Sequence, residues 1–136
     1  MVVDDNPVMR SGLSAMLRRI GDVTDVIEAP DAETALSILD AKEPAVDLVF
    51  LDIRLPGMDG LTALQHIEGT PVVMLTGSDD AASIRTALER GARGFLVNSD
   101  FTSDELITAV SQCPRGEIVL SPAAAERMRH LRHLKE

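Results

Sequence analysis

The hydrophobic pattern alternates between short apolar runs and longer stretches with helical periodicity. Short apolar runs bounded by turn residues are typical of buried strands, and apolar residues three or four positions apart are typical of amphipathic helices. Strand-like runs lie at 1–3, 23–28, 46–52, 71–76 and 95–97, and each is followed by a helical stretch. This alternation favours an α/β fold with a parallel sheet covered by helices on both faces. Right-handed crossovers predict a doubly wound five-stranded sheet with the order 2-1-3-4-5.

Polar residues predict where the helices begin. Asn6 precedes a proline and Asp31 precedes an apolar helical stretch, so both are expected to be caps. The Thr-Ser-Asp-Glu stretch beginning at Thr102 matches a capping box, and Ser78 or Asp79 is expected to cap the fourth helix. In the first helix we expect one buried face, formed by Val8, Leu13, Met16, Leu17 and Ile20.

Three carboxylates follow strands that should be neighbours in this sheet. Asp4 and Asp5 come directly after the first strand, and Asp52 ends the third. Ligands of such sheets bind at the carboxyl ends of the strands where the strand order reverses, so we expect these acids in one crevice. Grouped carboxylates repel one another, and a hard divalent cation such as Mg²⁺ relieves that repulsion. Thr76 ends the neighbouring strand, so its hydroxyl could reach an anion held over Asp52, an arrangement suited to an acyl phosphate on aspartate.

Composition narrows the function further. A length of 136 residues with 45% apolar residues predicts one domain with a real core. The formal net charge of -9 argues against a broad nucleic-acid surface on this chain. We find no apolar run of membrane-spanning length and no signal sequence, and we expect a cytoplasmic protein. The single cysteine, Cys113, fits a reducing compartment and has no catalytic motif around it.

Four stretches form a recognisable set. They are Val-Val-Asp-Asp-Asn-Pro at 2–7, the run from Val49 to Gly60, the run from Val73 to Gly77 and the run from Gly91 to Val97. Together they resemble the receiver domain of bacterial two-component response regulators, which has a flavodoxin-like fold. The resemblance extends from Met1 to about Gln112. The first strand is short for such a domain, and we expect further residues upstream of it.

The resemblance implies a role for each acid. Asp52 would accept a phosphoryl group from a histidine kinase. Asp5, Asp52 and the carbonyl group of Arg54 would ligate Mg²⁺, and Asp4 would assist through water. The domain is then not an enzyme, beyond Mg²⁺-dependent self-phosphorylation and autodephosphorylation.

The resemblance also implies a conformational switch. Thr76 and Phe95 resemble the switch pair of the family. In the family the threonine turns toward the phosphoryl group and the aromatic ring follows inward. This changes the face made by the fourth helix, fifth strand and fifth helix, and the active form is expected to form a homodimer or to release an output domain that regulates transcription.

The end of the chain suggests a linker. The run from Arg115 to Pro122 is similar to the linker before a LuxR-type helix-turn-helix domain, and no such domain follows within these residues. We therefore expect a receiver domain at 1–114 and a linker with a basic C-terminal helix at 115–136, with DNA binding only through an output domain absent from this sequence. His130 and His133 share one helical face, but a metal site there would lack a third ligand.

One departure from the family concerns Asn98. Family members usually carry a lysine at this position, where the ammonium pairs with the phosphoryl group, and asparagine brings no charge. An alternative is therefore a pseudo-receiver that signals through protein or ligand contacts without phosphorylation. Another hypothesis is that the Arg54 guanidinium replaces the missing cation. Arg54 also argues against a haloacid-dehalogenase type of phosphohydrolase, which needs an acid two positions after the nucleophile.

Overall fold

A computed structural model describes residues 1–77, 81–97, 101–126 and 129 of the chain. Strands and helices alternate along it, and a short 3-10 turn at Cys113–Arg115 follows the fifth helix. The elements are β1 (Val2–Val3), α1 (Pro7–Arg18), β2 (Glu28–Ala29), α2 (Ala32–Ala41), β3 (Val49–Asp52), α3 (Gly60–Gln65), β4 (Val72–Thr76), α4 (Ala81–Glu89), β5 (Gly94–Val97), α5 (Ser103–Gln112) and β6 (Val119–Leu120).

All strands of the sheet are parallel, in the order β2-β1-β3-β4-β5-β6. The α/β architecture and the predicted order of the first five strands are confirmed, but the number five is wrong because β6 adds a sixth strand at the edge of β5. The N–H of Val119 donates to the carbonyl of Arg93 (2.8 Å), and the N–H of Ser121 donates to the carbonyl of Phe95 (3.0 Å). The sequence analysis assigned the residues around Val119 to a linker, because their pairing depends on the open edge of β5 and not on the local pattern.

The sheet has a hydrophobic core on each face because successive strand residues point to opposite sides. On one face Val3, Leu51 and Met74 are buried together with residues of α2, α3 and α4. On the other face Val2 and Phe50 are buried together with residues of α1 and α5. The helices therefore cover both faces, as the near-continuous apolar strands predict.

The strands on either side of β1 are shorter than the sequence predicts. The pattern indicates strands at 23–28 and 46–52, whereas the paired residues are only Glu28–Ala29 and Val49–Asp52. β1 lies between them and supplies only Val2 and Val3 to each ladder. In the described part of the chain, residues 23–27 and 46–48, which precede β2 and β3, therefore form no strand.

The helix starts agree with the predicted caps where the structure describes them. Asn6, Asp31 and Thr102 each accept hydrogen bonds, between 2.7 and 3.2 Å long, from backbone N–H groups of the helix that they precede. The candidate caps Ser78 and Asp79 lie outside the described residues. On α1 the predicted buried face is wrong at one position: Val8, in the first turn, is 78% exposed. Among the described residues, no helix is long and apolar enough to cross a membrane.

Candidate functional site

The carboxylates of Asp4, Asp5 and Asp52 meet at the carboxyl edge of the sheet. One oxygen from each lies within 4.8 Å of the others. The cause is the strand order, since Val3 of β1 pairs with Leu51 of β3 and the next residue of each strand is an aspartate. Asp4 is buried, Asp52 is partly buried and Asp5 is exposed. The sequence-based expectation that these three side chains share a crevice agrees with this geometry.

Burial and repulsion make Asp52 difficult to ionise. Its pKa rises to about 6, chiefly because burial disfavours the charged carboxylate, and the charges of Asp4 and Asp5 raise it further. The N–H of Arg54 opposes this rise by donating to Oδ1 of Asp52 at 3.0 Å. A nearby cation would lower the pKa of Asp52, because its charge favours the ionised carboxylate.

Asp4 is held in place from its own turn and from α1. The N–H of Asn6 donates to Oδ1 of Asp4 (2.9 Å), and Nη1 of Arg10 donates to the Asp4 carbonyl (2.7 Å). The same guanidinium donates through Nε to Oε1 of Glu28 on β2 (3.2 Å). Arg10 therefore ties the end of β1 to α1 and β2. The sequence analysis did not single out Arg10, because nothing in the local pattern indicates that a helical arginine reaches back to this carbonyl.

The loop after Asp52 returns to the strand end through Gly60. The N–H of Gly60 donates to the carbonyl of Ile53 (2.8 Å). A Cβ atom at Gly60 would lie 2.1 Å from the carbonyl oxygen of Asp52 and 2.8 Å from the Cα of Ile53. Only glycine allows this approach. A glycine directly after the capping residue Asp59, at the first helical position, is a sequence signal for it, since glycine is a poor helix former.

A second contact connects this loop to α2. Oε1 of Glu33 accepts a hydrogen bond from the N–H of Met58 at 3.3 Å. Gly57 has a positive φ of 74°, a conformation that other residues rarely adopt. The turn is therefore shaped by one glycine and connected to the neighbouring helix by one carboxylate.

The two predicted switch residues lie on adjacent strands. Thr76 is 4% exposed and follows Leu75, the residue that pairs with Asp52. Phe95 is fully buried, in the same core as Ala124. In this structure the ring therefore already lies inside the protein. The third predicted catalytic residue, Asn98, lies outside the described residues.

The sequence analysis gave no catalytic role to Cys113 and no complete metal site to His130 and His133. Cys113 is buried, and burial raises the pKa of its thiol to about 11, so it is a poor nucleophile at neutral pH. His130 and His133 lie outside the described residues, as do Arg127, Arg132 and Lys135 of the basic C-terminal stretch.

The donor set fits a hard divalent cation. Carboxylate oxygens are the ligands that Mg²⁺ prefers, and it commonly keeps several waters beside one or two carboxylates. The close approach of the oxygens of Asp4, Asp5 and Asp52 is unfavourable without a counter-charge. The residues present therefore fit the predicted Mg²⁺ site.

The parallel six-stranded sheet has an acidic cluster at its switch point, which is where open α/β sheets bind their ligands. The family profile of the response regulator receiver domain matches residues 1–111, and the chain belongs to this family. It is 36% identical over 127 residues to the probable transcriptional regulatory protein NarL of Mycobacterium tuberculosis and 33% identical over 127 residues to the nitrate/nitrite response regulator protein NarL of Escherichia coli. Each alignment covers 90% of this chain and 57% of the relative.

Solved structures of response regulators are also similar to this chain. The crystal structure of a LuxR-family two-component response regulator from Aurantimonas sp. has a TM-score of 0.88 and 31% identity, with 98% of this chain and 96% of that chain covered. The chain spans about 57% of the length of the NarL proteins that it matches. NarL- and LuxR-family response regulators are thus among the relatives of this chain, and the match concerns their receiver part.

Proposed function

We propose that this chain is a receiver domain that accepts a phosphoryl group on Asp52 from a histidine kinase and passes the change to an output surface. The observation that carries the proposal is the acidic cluster, with the oxygens of Asp4, Asp5 and Asp52 within 4.8 Å at the carboxyl edge of the sheet. Membership of the receiver family supports it.

Asp5, Asp52 and the carbonyl of Arg54 are the proposed Mg²⁺ ligands, with Asp4 acting through water. When bound, Mg²⁺ neutralises the carboxylates and stabilises negative charge on the phosphoryl oxygens. The hydrogen bond from the Arg54 N–H to Asp52 keeps the start of the loop next to the acidic cluster. Gly60 supports the same loop from its other end.

In the proposed reaction an oxygen of ionised Asp52 attacks phosphorus. The new P–O bond gives an acyl phosphate, and the P–N bond to the kinase histidine breaks. The electron pair of that bond stays on the imidazole nitrogen, which takes up a proton. Thr76 is proposed to donate its hydroxyl to a phosphoryl oxygen, and Asn98 to donate a neutral amide N–H where relatives carry a lysine.

The switch is proposed to act through Thr76 and Phe95 on the surface made by α4, β5 and α5. Backbone bonds from Val119 and Ser121 place the start of the linker against β5, on which Phe95 lies. We further propose a receiver at 1–114 and a linker with a C-terminal helix at 115–136, in which Val119 and Leu120 pair with β5. We also propose that the whole protein is a cytoplasmic homodimer. Its DNA-binding output domain would regulate transcription.

The test is intact-mass analysis of the whole chain after treatment with acetyl phosphate. We expect a gain of one phosphoryl group in the presence of Mg²⁺ and none in its absence or in Asp52→Asn. Asp40→Asn, which changes an exposed acid on α2, is the matched control and should be modified like the parent. Modification that persists in Asp52→Asn would refute the assignment of the acceptor. Absence of any gain in the parent would favour the pseudo-receiver, above all if Asn98→Lys restored it.

A further inference from the structure

Arg10 of α1 holds the backbone that carries two of the three aspartates. Its Nη1 donates to the carbonyl of Asp4 at 2.7 Å, and its Nε donates to Oε1 of Glu28 at 3.2 Å. The arginine side chain is only 19% exposed. A guanidinium presents its donors in a rigid fork, so the two bonds fix its orientation together. Glu28 therefore fixes the direction in which Arg10 donates to Asp4.

The Asp4 carbonyl belongs to the peptide group that joins Asp4 to Asp5. A peptide group is planar, so a bond to its carbonyl also fixes the N–H and the Cα of the next residue. The N–H of Asp4 is held as well, since it donates to the carbonyl of Ala29 at 3.2 Å. The backbone of Asp4 is thus held on both sides, and the bond from Arg10 places the Cα of Asp5.

Asp5 depends on this backbone more than the other two aspartates do. Oδ1 of Asp4 accepts from the N–H of Asn6 at 2.9 Å. Oδ1 of Asp52 accepts from the N–H of Arg54 at 3.0 Å. The carboxylate of Asp5 is exposed, and in the described part of the chain it has no hydrogen-bond or ion-pair partner. The position of this carboxylate is therefore determined by its backbone.

The positive charge of Arg10 is paired outside the acidic cluster. Among the described residues, Arg10 forms an ion pair with Glu28 and with none of the three aspartates. An arginine bound to those carboxylates would occupy the oxygens that a metal ion needs, and its charge would repel the ion. The pairing with Glu28 leaves these oxygens available.

We propose that Arg10 is a positioning residue of the metal site: its bond to the Asp4 carbonyl holds the Asp4–Asp5 peptide so that the Asp5 carboxylate is placed for Mg²⁺. This inference rests on the proposed function, because it concerns the same Mg²⁺ site. It adds a residue that acts on the metal ion through the backbone and does not touch the ion itself.

The affinity for Mg²⁺ distinguishes this role from two simpler ones. A positive charge near a cation site weakens binding, so if Arg10 acted only through its charge, its removal would tighten Mg²⁺ binding. If Arg10 only stabilised the fold, its removal would lower Tm and leave the Mg²⁺ affinity of the folded protein unchanged. The positioning role predicts weaker binding.

The experiment compares the full parent chain with Arg10→Met, Arg10→Lys and Arg18→Met. Methionine removes the donors of Arg10, and lysine keeps the charge without the fork. Arg18 is the matched control, because it lies on the same helix, 3.8 Å from Oε2 of Glu28, and donates to the carbonyl of Val26 instead of Asp4. Isothermal titration calorimetry with magnesium chloride gives Kd, and thermal unfolding in a chelator gives Tm. The heteronuclear NOE of the Asp5 amide, measured without metal, reports its fast backbone motion.

We expect Arg10→Met to weaken Mg²⁺ binding by roughly 10-fold and Arg10→Lys to weaken it less. Arg18→Met should bind Mg²⁺ like the parent, and the NOE of Asp5 should fall only in the two Arg10 variants. Unchanged or tighter Mg²⁺ binding by Arg10→Met would overturn the proposal. If Arg10→Met does not fold, a parent-like Mg²⁺ affinity of Arg10→Lys overturns it instead.

Failure of the proposed function would give a different result. A parent chain that binds no Mg²⁺ would refute the metal site and this proposal with it. A parent that binds Mg²⁺ and is phosphorylated on Asp52, together with an unchanged affinity and NOE in Arg10→Met, would refute the role of Arg10 alone.

Discussion

Gly60 lies so close to Asp52 that a single methyl group at Gly60 would fall 2.1 Å from the Asp52 carbonyl oxygen. The first residue of α3 thus lies against the strand end that carries the proposed phosphoacceptor. The close approach also explains how a loop of several residues returns to the acidic cluster, because the N–H of Gly60 bonds to Ile53, the residue after Asp52.

Replacing Gly60 should therefore be costly. We expect Gly60→Ala to lower the free energy of unfolding by at least about 2 kcal/mol, because the new Cβ collides with backbone rather than with a movable side chain. Urea denaturation monitored by circular dichroism measures this. Gly12→Ala is the control: a Cβ at Gly12 meets nothing within 4 Å, and alanine in this helix should stabilise by up to about 1 kcal/mol. A similar effect of both substitutions would contradict the predicted collision.

The raised pKa of Asp52 should make stability depend on pH in the absence of metal. Its folded-state pKa of about 6 exceeds the model-peptide value of 3.8, so the folded state holds the proton more tightly. This contribution to stability is fully present below about pH 4 and is lost as the pH rises through about 6. Asp52→Asn should consequently be more stable than the parent by about 1–3 kcal/mol at about pH 7.5, and the difference should shrink toward about pH 4.5.

Urea denaturation in a chelator at these two pH values checks this prediction. Asp40→Asn, with an exposed side chain on α2, controls for the change in net charge. If Asp52→Asn is no more stable than the parent at about pH 7.5, the ionised carboxylate of Asp52 does not lower the free energy of unfolding. Addition of Mg²⁺ should stabilise the parent and leave Asp52→Asn nearly unchanged.

Asp5 provides a separate test of the metal site. Asp5→Asn should weaken Mg²⁺ binding by roughly 10–100-fold, because the exposed carboxylate of Asp5 completes the cluster from the solvent side. Isothermal titration calorimetry on the full chain measures the dissociation constant, with Asp40→Asn as the charge control. Equal affinities of the parent and Asp5→Asn would exclude Asp5 as a ligand.

Arg54 is a candidate source of the positive charge that Asn98 does not supply. If its guanidinium acts where relatives carry a lysine, Arg54→Ala should slow phosphorylation by acetyl phosphate and shorten the lifetime of the acyl phosphate, each by several-fold or about 1 kcal/mol. Arg54→Lys should retain most of both. Arg19→Ala removes an exposed arginine at the end of α1 and is the control. No change of rate or lifetime in Arg54→Ala would exclude this role.

Several features could be predicted from local sequence because they depend on short-range physics. A short apolar run such as 72–76, rich in valine and followed by a glycine, favours a buried strand. Caps such as Asn6 and Asp31 bond to their own helix. The meeting of Asp4 and Asp52 also follows from sequence, since right-handed crossovers determine which strand ends become neighbours.

Other features depend on contacts between residues that are far apart in the sequence, so the local pattern does not predict them. Arg10 reaches the carbonyl of Asp4 because α1 packs beside β1, and the pattern of α1 contains no sign of it. The sixth strand exists because Val119 finds an open edge at Gly94, not because the residues around Val119 form a strand by themselves.

The lengths of β2 and β3 show the same difference between what the local pattern indicates and which residues pair. The local pattern of apolar residues indicates strand character at 23–28 and 46–52. Where they pair depends on the neighbouring strand, because β2 pairs only with Val2 and Val3 of β1, whereas all four residues of β3 pair with β4. Propensity is a property of a segment, whereas a hydrogen-bonded ladder and a shared acidic cluster are properties of two or more segments brought together by the fold.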